Sequence, residues 1–107
     1  MNIDRHSIWL ADLKPTRGGE INKTRPVVVV SMNERNAALD TVVICPLTTH
    51  LHPRWRSRLQ ILCAGRRSEI AVDQIRAISK GRLRKKLDTL SASAADELHQ
   101  LISEMYG

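Results

Sequence analysis

Four consecutive valines, Val27 to Val30, follow directly on Pro26 and constrain the fold of this chain more than any other feature. A β-branched run of this kind is stiff and fits a pleated, buried surface. Pro26 has a fixed φ, so it sets the angle at which the preceding polar segment meets the strand. That segment reads Gly18-Gly19-Glu20-Ile21-Asn22-Lys23-Thr24-Arg25 and places one arginine at the mouth of a rigid support. A planar, permanently charged guanidinium held there suits phosphate, because its fork donates two parallel hydrogen bonds. The same residues also describe an ordinary solvated turn before a strand, and the segment alone does not decide between the two readings.

The chain has 107 residues, enough to bury one core without staples and too few for two comfortable ones, so one domain over 1–107 is expected. Aromatic residues make up 3% with no Phe, and the formal net charge is +6. A basic excess points to an anionic partner, most commonly nucleic acid, although solubility, an acidic protein or a membrane surface would also use it. Cys45 and Cys63 each sit in an apolar run without metal-like spacing, which predicts burial as small hydrophobes in a reducing compartment. No apolar run approaches the length needed to span a bilayer, and the first residues lack the apolar core of a secretion signal, so no membrane association and a cytoplasmic location are expected.

Strands are predicted over Ser7 to Asp12, Pro26 to Ser31, Thr41 to Cys45 and Arg56 to Leu62, with one or two more in Ile70 to Ile78. Asn33 to Asp40 has turn and short-helix residues, and Gly65-Arg66-Arg67-Ser68 reads as a hairpin turn. Ser93 followed by Asp96 makes a capping-box-like start, and Leu98, Leu101, Ile102 and Met105 recur at helical spacing, so Ala94 to Tyr106 should be an amphipathic helix. Short strands with one such helix predict a mainly β (α+β) domain: a small bent sheet or open barrel with the helix packed on it.

Past the third strand, Leu47-Thr48-Thr49-His50 offers two hydroxyls and an imidazole, which could join Arg25 around one phosphate if the strands are neighbours. Threonine pairs of this kind are also common turn chemistry. His50 and His52 lack a carboxylate or thiolate at matching spacing, so no metal site is expected; histidine there could carry protons near neutral pH. Arg54-Trp55-Arg56-Ser57-Arg58 interleaves charge for phosphates with a ring for a base, as single-stranded nucleic acid requires, although a charged strand edge looks the same. Lys80, Arg82, Arg84, Lys85 and Lys86 form a second basic cluster, readable as a solvated face or a phosphate-tracking surface. No recognisable serine triad, phosphate-cradling glycine loop or zinc spacing is present. RNA cleavage needs none of these, since the substrate's own 2′-OH can attack the adjacent phosphorus.

In order along the chain, Ile8-Trp9-Leu10-Ala11-Asp12-Leu13, Gly18-Gly19-Glu20, Thr24-Arg25-Pro26 with its valines, Cys45-Pro46-Leu47-Thr48 and Val72-Asp73-Gln74-Ile75-Arg76 together resemble the MazF/PemK family of toxin ribonucleases. The resemblance implies an SH3-like barrel of CcdB/PemK type and a homodimer. It further implies metal-free, cofactor-free cleavage of single-stranded RNA at short sequences, leaving a 2′,3′-cyclic phosphate and a 5′-OH. It implies Arg25 as the main catalytic residue, Thr48 beside it at the phosphate, and Glu20 or Asp73 as candidate base. Lys23, Thr24, Thr49 and His50 around that centre are expected to contact RNA, as are Arg54, Trp55 and Arg56 and, from the later motif, Gln74 and Arg76. A small acidic antitoxin is the implied partner, and the basic charge suits it.

The chain departs from the family at Ile21-Asn22-Lys23, where Gln-Gly-Gly is commoner, at Ala71, where some members carry arginine, and at Arg35, where an aromatic is frequent. Two other functions fit a basic chain of this fold class: a CcdB-like toxin that poisons DNA gyrase without cleavage, which would not need Arg25 and Thr48 together, and a basic SH3-like module that binds nucleic acid without chemistry.

Overall fold

The computed structural model describes residues 2–13 and 24–107. Seven strands form one antiparallel sheet: β1 (Ser7–Asp12), β2 (Thr24–Val29), β3 (Thr41–Thr48), β4 (Arg58–Cys63), β5 (Arg66–Ala71), β6 (Arg76–Ser79) and β7 (Leu83–Thr89). A short helix α1 (Asn33–Ala38) joins β2 to β3, and α2 (Ala92–Tyr106) closes the chain. The sheet runs β4-β5-β3-β2-β1-β7, with β6 also on β3.

The valine run divides as the period of a strand requires. Val28 and Val30 face a core with Ile8, Cys45, Leu47 and Ile70, covered by Ala95 and Leu98 of α2. Val27 and Val29 face the opposite core with Trp9, Ala11, Val42 and Ile44. Ile78 of β6 and Leu83 of β7 join that second cluster, which curls the sheet into a half-barrel. Each fully buried valine is worth about 1.5–3 kcal/mol, so this one segment holds both layers to the sheet.

β3 carries three partners. It pairs with β2 on one edge, and on the other with β6 through Thr41 to Ile44 and then with β5 through Leu47 and Thr48. The Val43 carbonyl accepts from Val30 N–H at 2.9 Å, so by alternation Val43, Cys45 and Leu47 direct their backbone groups toward β2 while Ile44 and Pro46 direct theirs to the other edge. The change of partner from β6 to β5 therefore falls at Pro46, which has no N–H to leave unpaired.

Several boundaries differ from the sequence reading. β3 continues through Pro46 to Thr48 instead of stopping at Cys45, because the proline's vacant side faces the gap between two partners. The β4–β5 turn is Ala64-Gly65, with φ of 50° and 80°, and Arg66 is already in the strand; positive φ at both central residues matches the hand of a twisted hairpin. Ile70 to Ile78 divides into the end of β5, a 3-10 turn at Val72–Gln74 and β6. β7 was read only as basic residues, because its side chains from Arg84 to Lys86 are exposed on an edge strand. The cap of α2 is Ser91, whose hydroxyl accepts from Ala94 N–H at 3.2 Å, so the helix starts earlier than Ser93 implied. Both cysteines are free and buried.

α2 is tied to the start of β1 by a pair of histidines. Arg5 Nη2 lies 3.2 Å from His99 Nδ1, which must accept, so His99 Nε2 carries the proton and donates to His6 Nε2 at 2.7 Å. His6 itself has φ of 73°. Burial, together with the Arg5 charge, holds both histidines below the ordinary value of 6.5 against a weaker opposing pull from Asp96. The unfolded chain then binds more protons at mildly acidic pH, so the stabilisation is full above 6.5 and is lost as pH falls below it. Denaturant unfolding should show lower stability at about pH 5.5 than at about pH 7.5, and the His6→Gln, His99→Gln variant should lose most of that slope. An undiminished slope in the variant would contradict the assignment.

Candidate functional site

β2 and β3 part company at a proline. Their register pairs Val29, Val28 and Val27 with Ile44, Cys45 and Pro46 and stops there. Alternation points the backbone of the next residue, Pro26, at Leu47, and Pro26 has no N–H to donate. Beyond it the strands no longer pair, and Arg25 of β2 and Thr48 of β3 both border the opening. A cleft of about 370 Å³ lies at this split, lined by Arg25, Pro26, Leu47, Thr48, Thr49, His50 and Ser68.

The cleft's residues are matched to an anion. No acidic side chain is among the described residues lining it. Arg25 Nε is buried and has no hydrogen-bond partner among the described residues. An unpaired buried donor costs on the order of 1–3 kcal/mol, a cost that a bound anion would offset. Thr48 Oγ1 accepts from His50 N–H at 3.1 Å, which turns the chain out of β3 and sets the threonine hydroxyl proton free to donate. His50 is exposed beside it.

The loop that follows is held from below by a buried carboxylate. Glu69 of β5 pairs with Thr48 on one side and Gln60 of β4 on the other, and its side chain has no exposed surface. It accepts from Arg58 Nη1 at 2.7 Å, from Gln60 Nε2 at 2.7 Å and from the backbone N–H of His52, with His52 Nδ1 at 3.1 Å. Burial would raise its pKa, but these hydrogen bonds together bring it down to about 2. Arg58 also donates from Nε to Asp73 at 2.8 Å. Above this network the rings of His50 and His52 stack at 4.9 Å and those of His52 and Trp55 at 3.8 Å, with the Arg58 guanidinium 4.7 Å from the Trp55 ring.

Of the residues singled out in the sequence, the fold brings Arg25, Thr48, Thr49 and His50 into one cleft. Thr24 is exposed at the start of β2, across from Asp12. Asp73 does not line the cleft; its carboxylate is engaged by Arg58. Gln74 is exposed in the same 3-10 turn, and Arg76 is half-buried in β6 opposite Ile44. Arg54, Trp55 and Arg56 are exposed on the loop that carries the ring stack. Glu20 and Lys23 lie outside the described residues. Among the described residues no group of three His, Cys, Asp or Glu side chains could hold a metal ion. The sequence reading placed Arg58 in the basic and aromatic patch and missed Glu69 and its pairing with Arg58 and Gln60; the available signal was the alternation of Arg58 and Gln60 on one face of β4.

A curled antiparallel sheet that splits beside a half-buried arginine and a threonine hydroxyl defines a small mainly β protein with a cleft at the split. Its affiliation is specific: the chain belongs to the PemK-like, MazF-like toxins of type II toxin-antitoxin systems, whose family model matches residues 4–106. It is 30% identical to the Endoribonuclease MazF of Staphylococcus saprophyticus, an alignment that spans 96% of this chain and 90% of that protein. It is also 30% identical to Endoribonuclease MazF9 of Mycobacterium tuberculosis, over 92% of this chain and 91% of that protein. The fold is shared with the crystal structure of MazF from Deinococcus radiodurans, at a TM-score of 0.85 and 18% identity over 98% of this chain and 96% of that one. It is shared likewise with a mycobacterial endoribonuclease solved in complex with its cognate antitoxin, at a TM-score of 0.80 and 18% identity over 95% and 92%.

If Pro26 opens the cleft, Pro26→Ala, which restores an N–H facing Leu47, should let β2 and β3 zip further. The expected result is a melting temperature no lower than the parent's, with a loss of at least tenfold, or about 1.4 kcal/mol, in affinity for single-stranded RNA by fluorescence anisotropy. Unchanged affinity would show that the proline does not shape the cleft.

Proposed function

We infer that this chain is the toxin of a type II toxin-antitoxin pair and that it is an endoribonuclease cutting single-stranded RNA at the Arg25–Thr48 cleft. The observation that carries the site assignment is the buried Nε of Arg25, unpartnered among the described residues, on an arginine that lines a cleft with no acid among the described residues. The family match and the 30% identical endoribonucleases support the reaction class.

In this reading the RNA's own 2′-OH attacks the adjacent phosphorus. The O2′–P bond forms, the P–O5′ bond breaks, one proton leaves the 2′-OH and one reaches the departing O5′, giving a 2′,3′-cyclic phosphate and a 5′-OH. The Arg25 guanidinium holds the charge that builds on the phosphorane oxygens, and the Thr48 hydroxyl donates to one of them. His50 is the titratable side chain beside Arg25 among the described residues lining the cleft, so it is placed to carry a proton; Glu20, earlier on the chain leading to Arg25, is the alternative base. Asp73, ion-paired with Arg58, is then a structural anchor for the site's support. Arg54, Trp55 and Arg56 extend the binding surface along the strand of RNA, and no step calls on a metal.

The chain acts as one domain over 1–107 and as a homodimer, and an acidic antitoxin blocks it by occupying the same basic surface, as its net charge of +6 favours. Among the described residues no helix is long and apolar enough to cross a membrane. A toxin that cuts mRNA works in the cytoplasm.

Purified protein should cut single-stranded RNA in EDTA. Arg25→Ala should lower kcat by roughly 10²–10³-fold while remaining folded, as removal of one preorganised charge-stabilising donor does elsewhere. Thr48→Val should cost about tenfold. Full activity in folded Arg25→Ala would refute the site, and intact RNA with stalled gyrase-DNA complexes would refute the reaction.

A further inference from the structure

We propose that Glu69 is a positioning residue for substrate, which locks an aromatic ladder running from the cleft to Trp55 so that Trp55 is presented as a preformed stacking platform for a base flanking the cut. This rests on the RNA-cleaving reading above and adds to it a residue outside the cleft.

Continuity is the first support. His50 lines the cleft and stacks on His52, which stacks on Trp55, so the rings step outward from the position of the phosphate toward solvent. Trp55 is 49% exposed despite its two neighbours and keeps surface for a further ring. Stacking a base on an aromatic side chain is worth about 1–3 kcal/mol, but only if the ring is already held in place.

The second support is what holds it. The loop from Thr49 to Ser57 has little apolar anchorage: its side chains at Pro53, Arg54, Trp55 and Arg56 are exposed. Backbone bonds tie it at Thr48, within His52 to Arg58 and from Ser57 to Val72, and its side-chain anchor beneath the ring stack is one residue. Glu69 takes the backbone N–H of His52, faces the His52 ring and takes the Arg58 guanidinium that also sits by Trp55. A carboxylate with no exposed surface would be costly without such donors, so acid and loop hold each other in one arrangement. The middle rung of the ladder and the cation beside Trp55 are thus both held by a single charge beneath the sheet.

Glu69→Gln keeps the volume and the hydrogen-bonding capacity toward Gln60 while removing the charge that binds Arg58 and His52. His52→Ala removes one rung of the ladder and one contact of Glu69, but keeps the carboxylate with its Arg58, Gln60 and backbone donors, and so covers the case in which Glu69→Gln does not fold. Both should raise KM for a single-stranded RNA oligonucleotide by about tenfold with kcat within about twofold, the signature of lost substrate binding as opposed to lost chemistry. Arg25→Ala should show the opposite split. The Glu69→Gln, Trp55→Ala double variant should be no worse than Trp55→Ala alone, since the clamp acts only through the platform. In protein carrying 5-fluorotryptophan, the 19F resonance of Trp55, assigned with Trp55→Phe, should shift toward the solvent-exposed position in Glu69→Gln while that of Trp9 stays put.

Wild-type KM in both single variants, or multiplicative losses in the double variant, would overturn the role of Glu69 while leaving an inactive Arg25→Ala in place. Wild-type protein that leaves RNA uncut would overturn the reaction itself, and this role with it, before any variant is compared.

Discussion

The structure depends on where two prolines withhold an N–H. β3 lies at the centre of the sheet and must satisfy both edges. On one edge Pro46 falls at the exchange between β6 and β5, so the gap leaves no orphaned donor. On the other edge Pro26 ends the β2–β3 ladder one residue after Val27. Both interruptions sit at the same end of the same strand pair, and the cleft occupies the opening between them. A site made this way rests on backbone chemistry at two positions and on rigid strands, so Arg25 and Thr48 are held at the opening with little freedom to give way.

Charge placement follows from that geometry. The cleft has a guanidinium whose buried Nε is unpaired among the described residues, while a few residues away Glu69 is saturated with donors and Asp73 is bound to Arg58. Among the described residues, the two acids nearest the cleft, Glu69 and Asp73, are thus neutralised by partners beneath the sheet and do not compete for Arg25.

Much of this was legible in the residues. The valine run, the period-2 strands and the amphipathic pattern of the last helix are local signals, and they led to a mainly β sheet with α2 across it. Arg25 and Thr48 are joined in sequence only by the order of motifs, and in the fold both line the cleft where β2 and β3 part. Long-range pairings were not legible. β7 hides as a string of cations because an edge strand needs few apolar residues. Glu69 sits beside the exposed Arg66 and Arg67 in sequence and reads as turn chemistry until the hairpin folds it against Gln60 and Arg58. Asp73 fits a catalytic carboxylate by motif, but its partner Arg58 arrives from a different strand, and no spacing along the chain announces that contact.

The central claim is that Arg25 promotes attack by the RNA's own 2′-OH within the cleft opened at Pro26. The chemistry of the fragment ends tests it most directly. RNA digested by the parent protein in EDTA should carry 2′,3′-cyclic phosphate on every upstream fragment and 5′-OH on every downstream one, and the Arg25→Ala protein should yield no such ends above background. Upstream fragments ending in 3′-OH with downstream 5′-phosphate, or the same cyclic ends at the same rate from Arg25→Ala, would contradict it.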